Sequence, residues 1–154
     1  MDIKTLLQSL LDHRVKFLVI GAWALPAYGY ERPTRDIDIF FEPTETNARN
    51  LVKALQKAGY DGIQDLSMEQ ILKKKILIRQ FLLQTDIHPF VKGTIFEEAW
   101  NSRVETEIKG HHVFVPSFDV LLSMKRAANR ARDQEDVRQL EARREAFGKK
   151  PGSQ

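Results

Sequence analysis

The sequence predicts an α/β fold, because helix-like and strand-like patterns alternate along the chain. Apolar residues at helical spacing indicate a first amphipathic helix over residues 2–13. The apolar run 16–20, and a second run that begins at Asp36, have the length and composition of buried strands. No internal repeat or low-complexity linker divides these patterns, so we expect a single domain over residues 1–147.

The elements of the first half have recognisable boundaries. The first strand ends at Gly21, where we expect a turn followed by a short helix. Pro26 falls within that helix, so the helix is either kinked or begins properly only at the residue before the proline. After the strand that begins at Asp36, Thr44 is placed to cap a helix that Gly59 terminates.

The second half predicts shorter elements that end in two helices. The expected order is a helix over 65–74, a strand over 75–80, a strand over 81–87, a helical turn over 96–100, a hairpin of 104–109 and 112–115, a helix over 117–131 and a helix over 133–147. Gly110 supplies the turn of the hairpin, and Ser117 caps the helix that follows it. We expect residues 148–154 to be a disordered tail.

Composition excludes several classes of protein. A hydrophobic content of 42% and a charged content of 29% are ordinary for a globular domain. The absence of cysteine excludes a disulfide framework, a thiolate nucleophile and a cysteine-based zinc site. The first residues mix charges with leucines, unlike a signal peptide, and no apolar run is long enough to span a membrane. We therefore expect a cytoplasmic protein that has no membrane partner.

Two acids stand in the otherwise apolar strand that begins at Asp36. Asp36 and Asp38 project from one face of the strand, whereas Ile37 and Ile39 project from the other face toward a core. Two buried acids this close together are costly without a cation. The pattern therefore predicts a metal site, and Mg²⁺ suits it because Mg²⁺ takes oxygen ligands and is commonly bridged to substrate phosphates.

A glycine and a third acid complete the candidate site. Gly21 follows the first strand, where backbone N–H groups can approach an anion because no Cβ is in the way. Asp86 lies near the end of the apolar run 81–87. If that run pairs beside the Asp36 strand, three carboxylates face one pocket, where they can hold metal ions for a phosphoryl displacement. The third acid can also act as the general base for an incoming hydroxyl.

These motifs resemble the nucleotidyltransferase superfamily. The similar features are a glycine turn, a D-x-D pair and a later single acid, here Gly21-Ala22, Arg32-x-Thr34-x-Asp36-Ile37-Asp38 and Thr85-Asp86-Ile87. The chain is most similar to the minimal nucleotidyltransferases found in bacterial toxin–antitoxin modules. The segment around Lys125, with the R-x-x-D spacing that follows it, resembles the helices that close such domains. One departure is Ala22, which stands where the family has a second glycine or a serine.

The resemblance implies a fold and an activity. It implies a mixed β-sheet flanked by helices, with a C-terminal helical segment. It also implies Mg²⁺ or Mn²⁺, and transfer of a nucleoside monophosphate from an NTP to a hydroxyl of RNA, protein or a small molecule. A role as the toxin of a toxin–antitoxin pair, with a small antitoxin partner, comes with the same match.

The resemblance also assigns roles to residues. Asp36, Asp38 and Asp86 would be the catalytic acids and metal ligands. The nucleotide-binding residues would be Gly21, Ala22, Arg32, Thr34, Arg35 and Lys125.

Several of these side chains have plainer interpretations. Arg32 and Arg35 bind a triphosphate or pair with nearby glutamates, and Lys125 reaches a phosphate or extends to solvent. His88 is interpreted as a solvated loop residue rather than as part of the pocket. Residues 121–150 carry nine Lys and Arg against five acids, which form either a surface for RNA or a solvated helical face with internal ion pairs.

Two other functions stay open at this point. The same fold could be a catalytically weak module that binds nucleotide or RNA, or that forms half of a two-protein complex, and Ala22 favours this alternative. A metal-dependent nuclease would use similar acids but would not need a phosphate cradle at Gly21.

Overall fold

A four-stranded mixed sheet lies at the centre of the fold in the computed structural model, which describes residues 2–80 and 83–147. Its strands are β1 (Phe17–Ile20), β2 (Asp36–Phe41), β3 (Ile76–Ile78) and β4 (Gln84–His88), arranged in the order β1-β2-β4-β3. Strand β2 runs antiparallel to β1 and parallel to β4, and β3 runs antiparallel to β4. The predicted mixed sheet is therefore confirmed.

Helices and one hairpin surround this sheet. The helices are α1 (Ile3–Asp12), α2 (Glu45–Lys57), α3 (Met68–Lys73), α4 (Phe96–Asn101), α5 (Phe118–Ala128), α6 (Ala131–Ala142) and α7 (Arg144–Phe147). The hairpin joins β5 (Val104–Ile108) to β6 (His111–Val115) through Gly110, as predicted. Thr44 and Ser117 cap α2 and α5, because each side chain accepts a hydrogen bond from a backbone N–H of the first helical turn. None of the described helices is both long and apolar enough to cross a membrane.

The sheet packs a different apolar cluster on each face. In β2, Ile37, Ile39 and Phe41 point into the larger core, which also contains buried residues of α1 and α2. Phe40 points the opposite way, into a smaller cluster with Phe96 of α4 and residues of α5. Because side chains alternate along a strand, the two acids at positions 36 and 38 share the face of Phe40. The acids therefore lie on the side of the sheet that α5 covers.

Three predicted boundaries are wrong. The segment after β1 is a 3₁₀ helix over Gly21–Tyr28 that contains Pro26, so of the two alternatives the start beside the proline is wrong. Helix α5 ends at Ala128 rather than at residue 131, because Asn129 takes the left-handed conformation (φ 51°), which asparagine tolerates better than most residues. The last predicted helix is divided at Arg143 into α6 and α7.

The middle of the chain differs in smaller ways. The helix predicted over 65–74 is a 3₁₀ turn, Ile63–Asp65, followed by α3, which begins with a capping box between Ser67 and Gln70. The strand predicted over 81–87 begins at Gln84 and continues to His88. Residues 81 and 82, and the tail predicted over 148–154, lie outside the described residues.

Candidate active site

A cavity of about 480 Å³ lies between the acid-bearing face of the sheet and helix α5. All three predicted acids, Asp36, Asp38 and Asp86, line it, together with Gly21 and Lys125. Its other lining residues are Ile20, Lys75, His88, Phe90, Val91, Lys92, Leu121, Met124, Ala128, Arg130, Arg132 and Asp133. The structure thus brings most of the residues singled out in the sequence into one cavity.

The strand register sets the relative position of the acids. Asp38 of β2 lies directly beside Asp86 of the parallel strand β4. His88 follows two residues later on β4, and its Nε2 lies 2.9 Å from Oδ1 of Asp38. One ligand atom from each of Asp38, Asp86 and His88 falls within 4.8 Å of the others. The interpretation of His88 as a solvated loop residue is therefore wrong, since its side chain is only 14% exposed and contacts a site acid.

These donors fit a divalent cation. Carboxylate oxygens suit Mg²⁺ and Mn²⁺, and an imidazole nitrogen is better suited to a transition metal than to Mg²⁺. Asp36 lines the same cavity but does not belong to the close group. Thr34 orders the start of β2 at this acid, because its hydroxyl accepts a hydrogen bond from the Asp36 N–H at 3.1 Å. Arg35 is exposed and does not line the cavity.

Gly21 is required by the close approach of Asp38. Its φ is +69°, and a Cβ at this position would lie 2.5 Å from Oδ2 of Asp38. The glycine therefore admits a carboxylate of the site itself to the start of the 3₁₀ helix. The first N–H groups of that helix, including that of Ala22, have no acceptor within their own helix, which is the feature that lets helix starts bind anions. The Ala22 side chain is buried.

We expect Gly21→Ala to weaken metal binding at least tenfold while leaving most of the fold intact. The added Cβ would displace the Asp38 carboxylate and would also strain a left-handed backbone. Titration of Mn²⁺ followed by calorimetry measures the effect. Gly62→Ala is the matched control, because Gly62 also has a positive φ (81°) but has open space around its Cβ position. Equal Mn²⁺ affinity in the two variants would contradict this account of Gly21.

Arg79 contacts the third acid. Its Nη1 lies 2.7 Å from Oδ1 of Asp86, and its side chain is 42% exposed. Arg79 follows β3, which pairs antiparallel with the strand of Asp86. The contact is a charge-assisted hydrogen bond, the stronger kind of side-chain hydrogen bond. The guanidinium thus acts as a counterion inside the acid cluster.

A buried ion network supports the wall of the cavity. Asp136 of α6 is fully buried, accepts two hydrogen bonds from Arg32 at 2.9 and 3.0 Å, and lies 2.9 Å from Nζ of Lys125. Asp133 is also buried and binds Arg130 at 2.6 Å. Neither of the two interpretations that the sequence suggested for Arg32, nor either of those for Lys125, included this network. Arg32 pairs with an aspartate 104 residues away rather than with a nearby glutamate, and Lys125 is only 6% exposed rather than extended to solvent.

The network lowers the pKa of both aspartates. Burial alone would raise the pKa of Asp136, but hydrogen bonds from Arg32 and Lys125 outweigh burial and bring the pKa below its usual value. Burial would likewise raise the pKa of Asp133, but the hydrogen bonds from Arg130 outweigh burial and bring that pKa below its usual value. Both carboxylates are therefore held ionised beside the cavity.

We expect acid to destabilise the protein through these two groups. A carboxyl with a lowered pKa in the folded state adds stability that is fully present above the ordinary value of about 3.9. That stability is lost as pH falls through the lowered pKa of the folded protein. Calorimetric melting between pH 7 and pH 2.5 should show a nearly constant transition temperature down to about pH 5 and a decline below about pH 4. A transition temperature unchanged across the acid range would contradict the assignment.

Most other cations of the C-terminal helices are paired. Arg138 binds Glu135 and Arg144 binds Glu141, both at i,i+3 spacing, and Arg126 also binds Glu141. This arrangement favours the interpretation of a solvated face with internal ion pairs. Arg130 and Arg132 differ from the others in that they line the cavity.

The arrangement resembles that of solved structures at low sequence identity. The lincosamide antibiotic adenylyltransferase LnuA, with lincomycin bound, matches with a TM-score of 0.61 and 17% identity over 92% of this chain and 98% of that chain. The antibiotic-resistance factor ANT(2'')-Ia matches in solution with a TM-score of 0.57 and 17% identity, over 90% of this chain and 80% of that chain. The crystal structure of ANT(2'')-Ia with adenylyl-2''-tobramycin matches with a TM-score of 0.56 and 17% identity, over 94% of each chain. The chain has the nucleotidyltransferase fold.

This nucleotidyltransferase fold was recognised from three short motifs. No protein-family model matches the sequence, and a search of curated proteins gives no match. At 17% identity the likeness to the solved structures establishes the fold alone.

Several residues at the cavity of this nucleotidyltransferase fold were not predicted from the sequence to be part of the site. His88 shares a strand face with Asp86, and this period-two spacing was a usable signal. Lys75 and Phe90 carried no such signal, because their positions depend on the pairing of β3 and on the path of the chain after β4. The same holds for Arg79, which does not line the cavity but contacts Asp86.

Proposed function

We propose that this chain transfers a nucleoside monophosphate, with AMP from ATP as the first candidate, to a hydroxyl of a small molecule. The observation that carries the proposal is the group of Asp38, Asp86 and His88, held against Gly21 at a cavity that also contains Lys125. The neighbours support AMP and a small acceptor, since one is a lincosamide adenylyltransferase and another was solved with adenylyl-2''-tobramycin.

The acids would hold Mg²⁺ or Mn²⁺. Asp38, Asp86 and His88 supply the close ligand atoms, and Asp36 adds a carboxylate to the same cavity. A divalent cation bound there neutralises phosphate charge and orients the triphosphate. Binding ATP without a cation would bring a polyanion beside three carboxylates, which repel it.

Residues of the chain would position the triphosphate. The first N–H groups of the 3₁₀ helix, at Gly21 and Ala22, form one anion-binding surface. Lys125, Arg130 and Arg132 face the cavity from α5 and α6. Arg32 acts through Asp136, which holds Lys125 in place. Roles for Thr34 and Arg35 in binding nucleotide stay predictions.

The proposed transfer needs one general base, which removes the proton of the acceptor hydroxyl. The acceptor oxygen forms a bond to the α-phosphorus as the bond from that phosphorus to the oxygen of the β-phosphate breaks, and pyrophosphate leaves. The hydroxyl proton passes to the carboxylate of Asp86. Asp86 is suited to this role because it is a carboxylate that lines the cavity beside the metal-binding group.

Transfer of labelled phosphate tests the proposal. The purified chain is incubated with Mn²⁺ or Mg²⁺, lincomycin or tobramycin, and ATP labelled at either the α- or the γ-phosphate. We expect the α-label on at least one of the two acceptors, the γ-label in released pyrophosphate, and neither reaction with EDTA. Hydrolysis of RNA without any NTP would instead indicate a nuclease.

The catalytically weak module is the second candidate, and the bond between Arg79 and Asp86 favours it. A guanidinium on the third acid competes with a cation for the same oxygen. Metal-dependent ATP binding without transfer to any hydroxyl would support this candidate. An RNA or protein acceptor, a toxin–antitoxin role and a small antitoxin partner stay predictions.

A further inference from the structure

The charges that line the cavity restrict the acceptor. Besides the three predicted catalytic acids, the carboxylate among the described lining residues is that of Asp133. Asp133 is 1% exposed and is bound by Arg130 and Lys125, so it is not accessible to a ligand. The cations that line the cavity are Lys75, Lys92, Lys125, Arg130 and Arg132.

This balance disfavours a polycationic acceptor. Once Asp38 and Asp86 hold a divalent cation, Asp36 is the accessible carboxylate that remains among the described lining residues, which is enough for one ammonium group. Lys75 and Lys92 are the lining cations that are not assigned to the triphosphate. Each ammonium within about 4 Å of a lining cation would meet a repulsion of about 1 kcal/mol in water, and more near the protein surface. A compound with several amines would therefore gain little from this cavity and would meet repulsion from its wall.

An aromatic side chain is presented at the edge of the cavity. We call residues 89–93, which follow β4, the rim loop. Within it Phe90 is 56% exposed and lines the cavity, as do Val91 and Met124 of α5. Small-molecule sites combine such apolar walls with a few polar groups that fix orientation.

The rim loop is anchored at both ends. Pro89 is buried, and Gly93 packs so closely on α5 that a Cβ would lie 2.7 Å from the Ser123 carbonyl oxygen. The Ser123 hydroxyl donates a hydrogen bond to the Gly93 carbonyl oxygen at 2.8 Å. The backbone that carries Phe90 is therefore held at both ends before any ligand arrives, which reduces the entropy lost when a ligand orders the loop.

We infer that the acceptor is an amphipathic hydroxyl compound with at most one positive charge, whose apolar part packs on Phe90. The inference rests on the proposed function, because it assumes that the acceptor enters the cavity in which the nucleotide binds. The acids and cations bind nucleotide, and the rim loop selects the acceptor by apolar contact and by repulsion of polycations.

Calorimetry on the loaded protein tests this inference. The chain is saturated with Mn²⁺ and the non-hydrolysable analogue α,β-methylene ATP, then titrated at 150 mM salt with 4-nitrophenyl glucoside, lincomycin, tobramycin or a short RNA. We expect both amphipathic compounds to bind at least tenfold more tightly than tobramycin, a polyamine, and more tightly than the RNA. Phe90→Ala should weaken both about tenfold. Leu77→Ala is the matched control, since Leu77 is 53% exposed but does not line the cavity.

A second variant tests the charge argument separately. Lys92→Glu places an accessible carboxylate on the rim loop, and we expect it to tighten tobramycin binding about tenfold. The control is Lys53→Glu, on the exposed surface of α2 and outside the cavity lining. It should leave the affinity for tobramycin unchanged.

The outcomes separate this inference from the proposed function. Failure of the ATP analogue to bind would overturn both. If the analogue binds but tobramycin or RNA binds as tightly as the amphipathic compounds, or if neither amphipathic compound binds, the inference alone is overturned. An unchanged affinity of Phe90→Ala for the amphipathic compounds would also overturn it.

Discussion

Replacing Asp38 with asparagine is expected to lower the rate of nucleotidyl transfer by about 10³-fold or more, with the fold intact. Asp38 contributes a ligand atom to the close group and lies directly beside Asp86 in the sheet. A bound cation contributes several kcal/mol to stabilising the developing charge, and each 1.36 kcal/mol changes a rate tenfold. The measurement is α-label transfer at saturating ATP, with Mn²⁺ affinity measured in parallel.

Stability should move little in this variant, which distinguishes a functional role from a structural one. Removing one of two adjacent carboxylates relieves their repulsion in the metal-free protein, although the contact with His88 is weakened. We expect the transition temperature to stay within a few degrees of the original. Asp65→Asn, at an exposed position outside the cavity lining, is the control and should retain full activity. Wild-type transfer by Asp38→Asn would show that Asp38 is only a strand residue.

The core of the site could be predicted because it depends on local periodicity. Alternation along a strand places Asp36 and Asp38 on one face whatever the rest of the fold does. The pairing of Asp38 with Asp86 required one further assumption, that the two strands are neighbours, and the structure meets it. Gly21 was noticed for its missing Cβ, but the anion that approaches it most closely in the structure is the carboxylate of Asp38.

The rest of the site depends on contacts between distant parts of the chain. Arg32 and Asp136 are 104 residues apart, and local patterning does not specify such a pair. The end of α5 was misplaced because a helical pattern continues past Asn129, whose left-handed backbone interrupts the helix without a proline or glycine. His88 was assigned to a loop because the strand was predicted to end at residue 87, one residue earlier than it does.

The buried network also sets the largest expected change in stability. Asp136→Asn should lower the free energy of unfolding by about 3–5 kcal/mol, because it leaves the charges of Arg32 and Lys125 without their shared carboxylate in a buried site. Lys125 has Asp133 at 3.7 Å as its remaining partner, and Asp133 is already bound by Arg130. Urea denaturation followed by circular dichroism measures the change.

Two further variants test whether the loss comes from unpaired buried charge. Asp119→Asn removes an acid that is about half exposed and 3.5 Å from Arg144, so its effect should stay below about 1 kcal/mol. Adding Lys125→Met to Asp136→Asn should recover part of the lost stability, because a buried charge that lacks its partner destabilises more than an apolar side chain of similar size. If the double variant is less stable than Asp136→Asn alone, the network stabilises the fold through packing of the lysine rather than through charge pairing. Because Lys125 also lines the cavity, the double variant should transfer nucleotide more slowly than the original protein even where its stability recovers. This difference separates the contribution of the lysine to the fold from its contribution to the site.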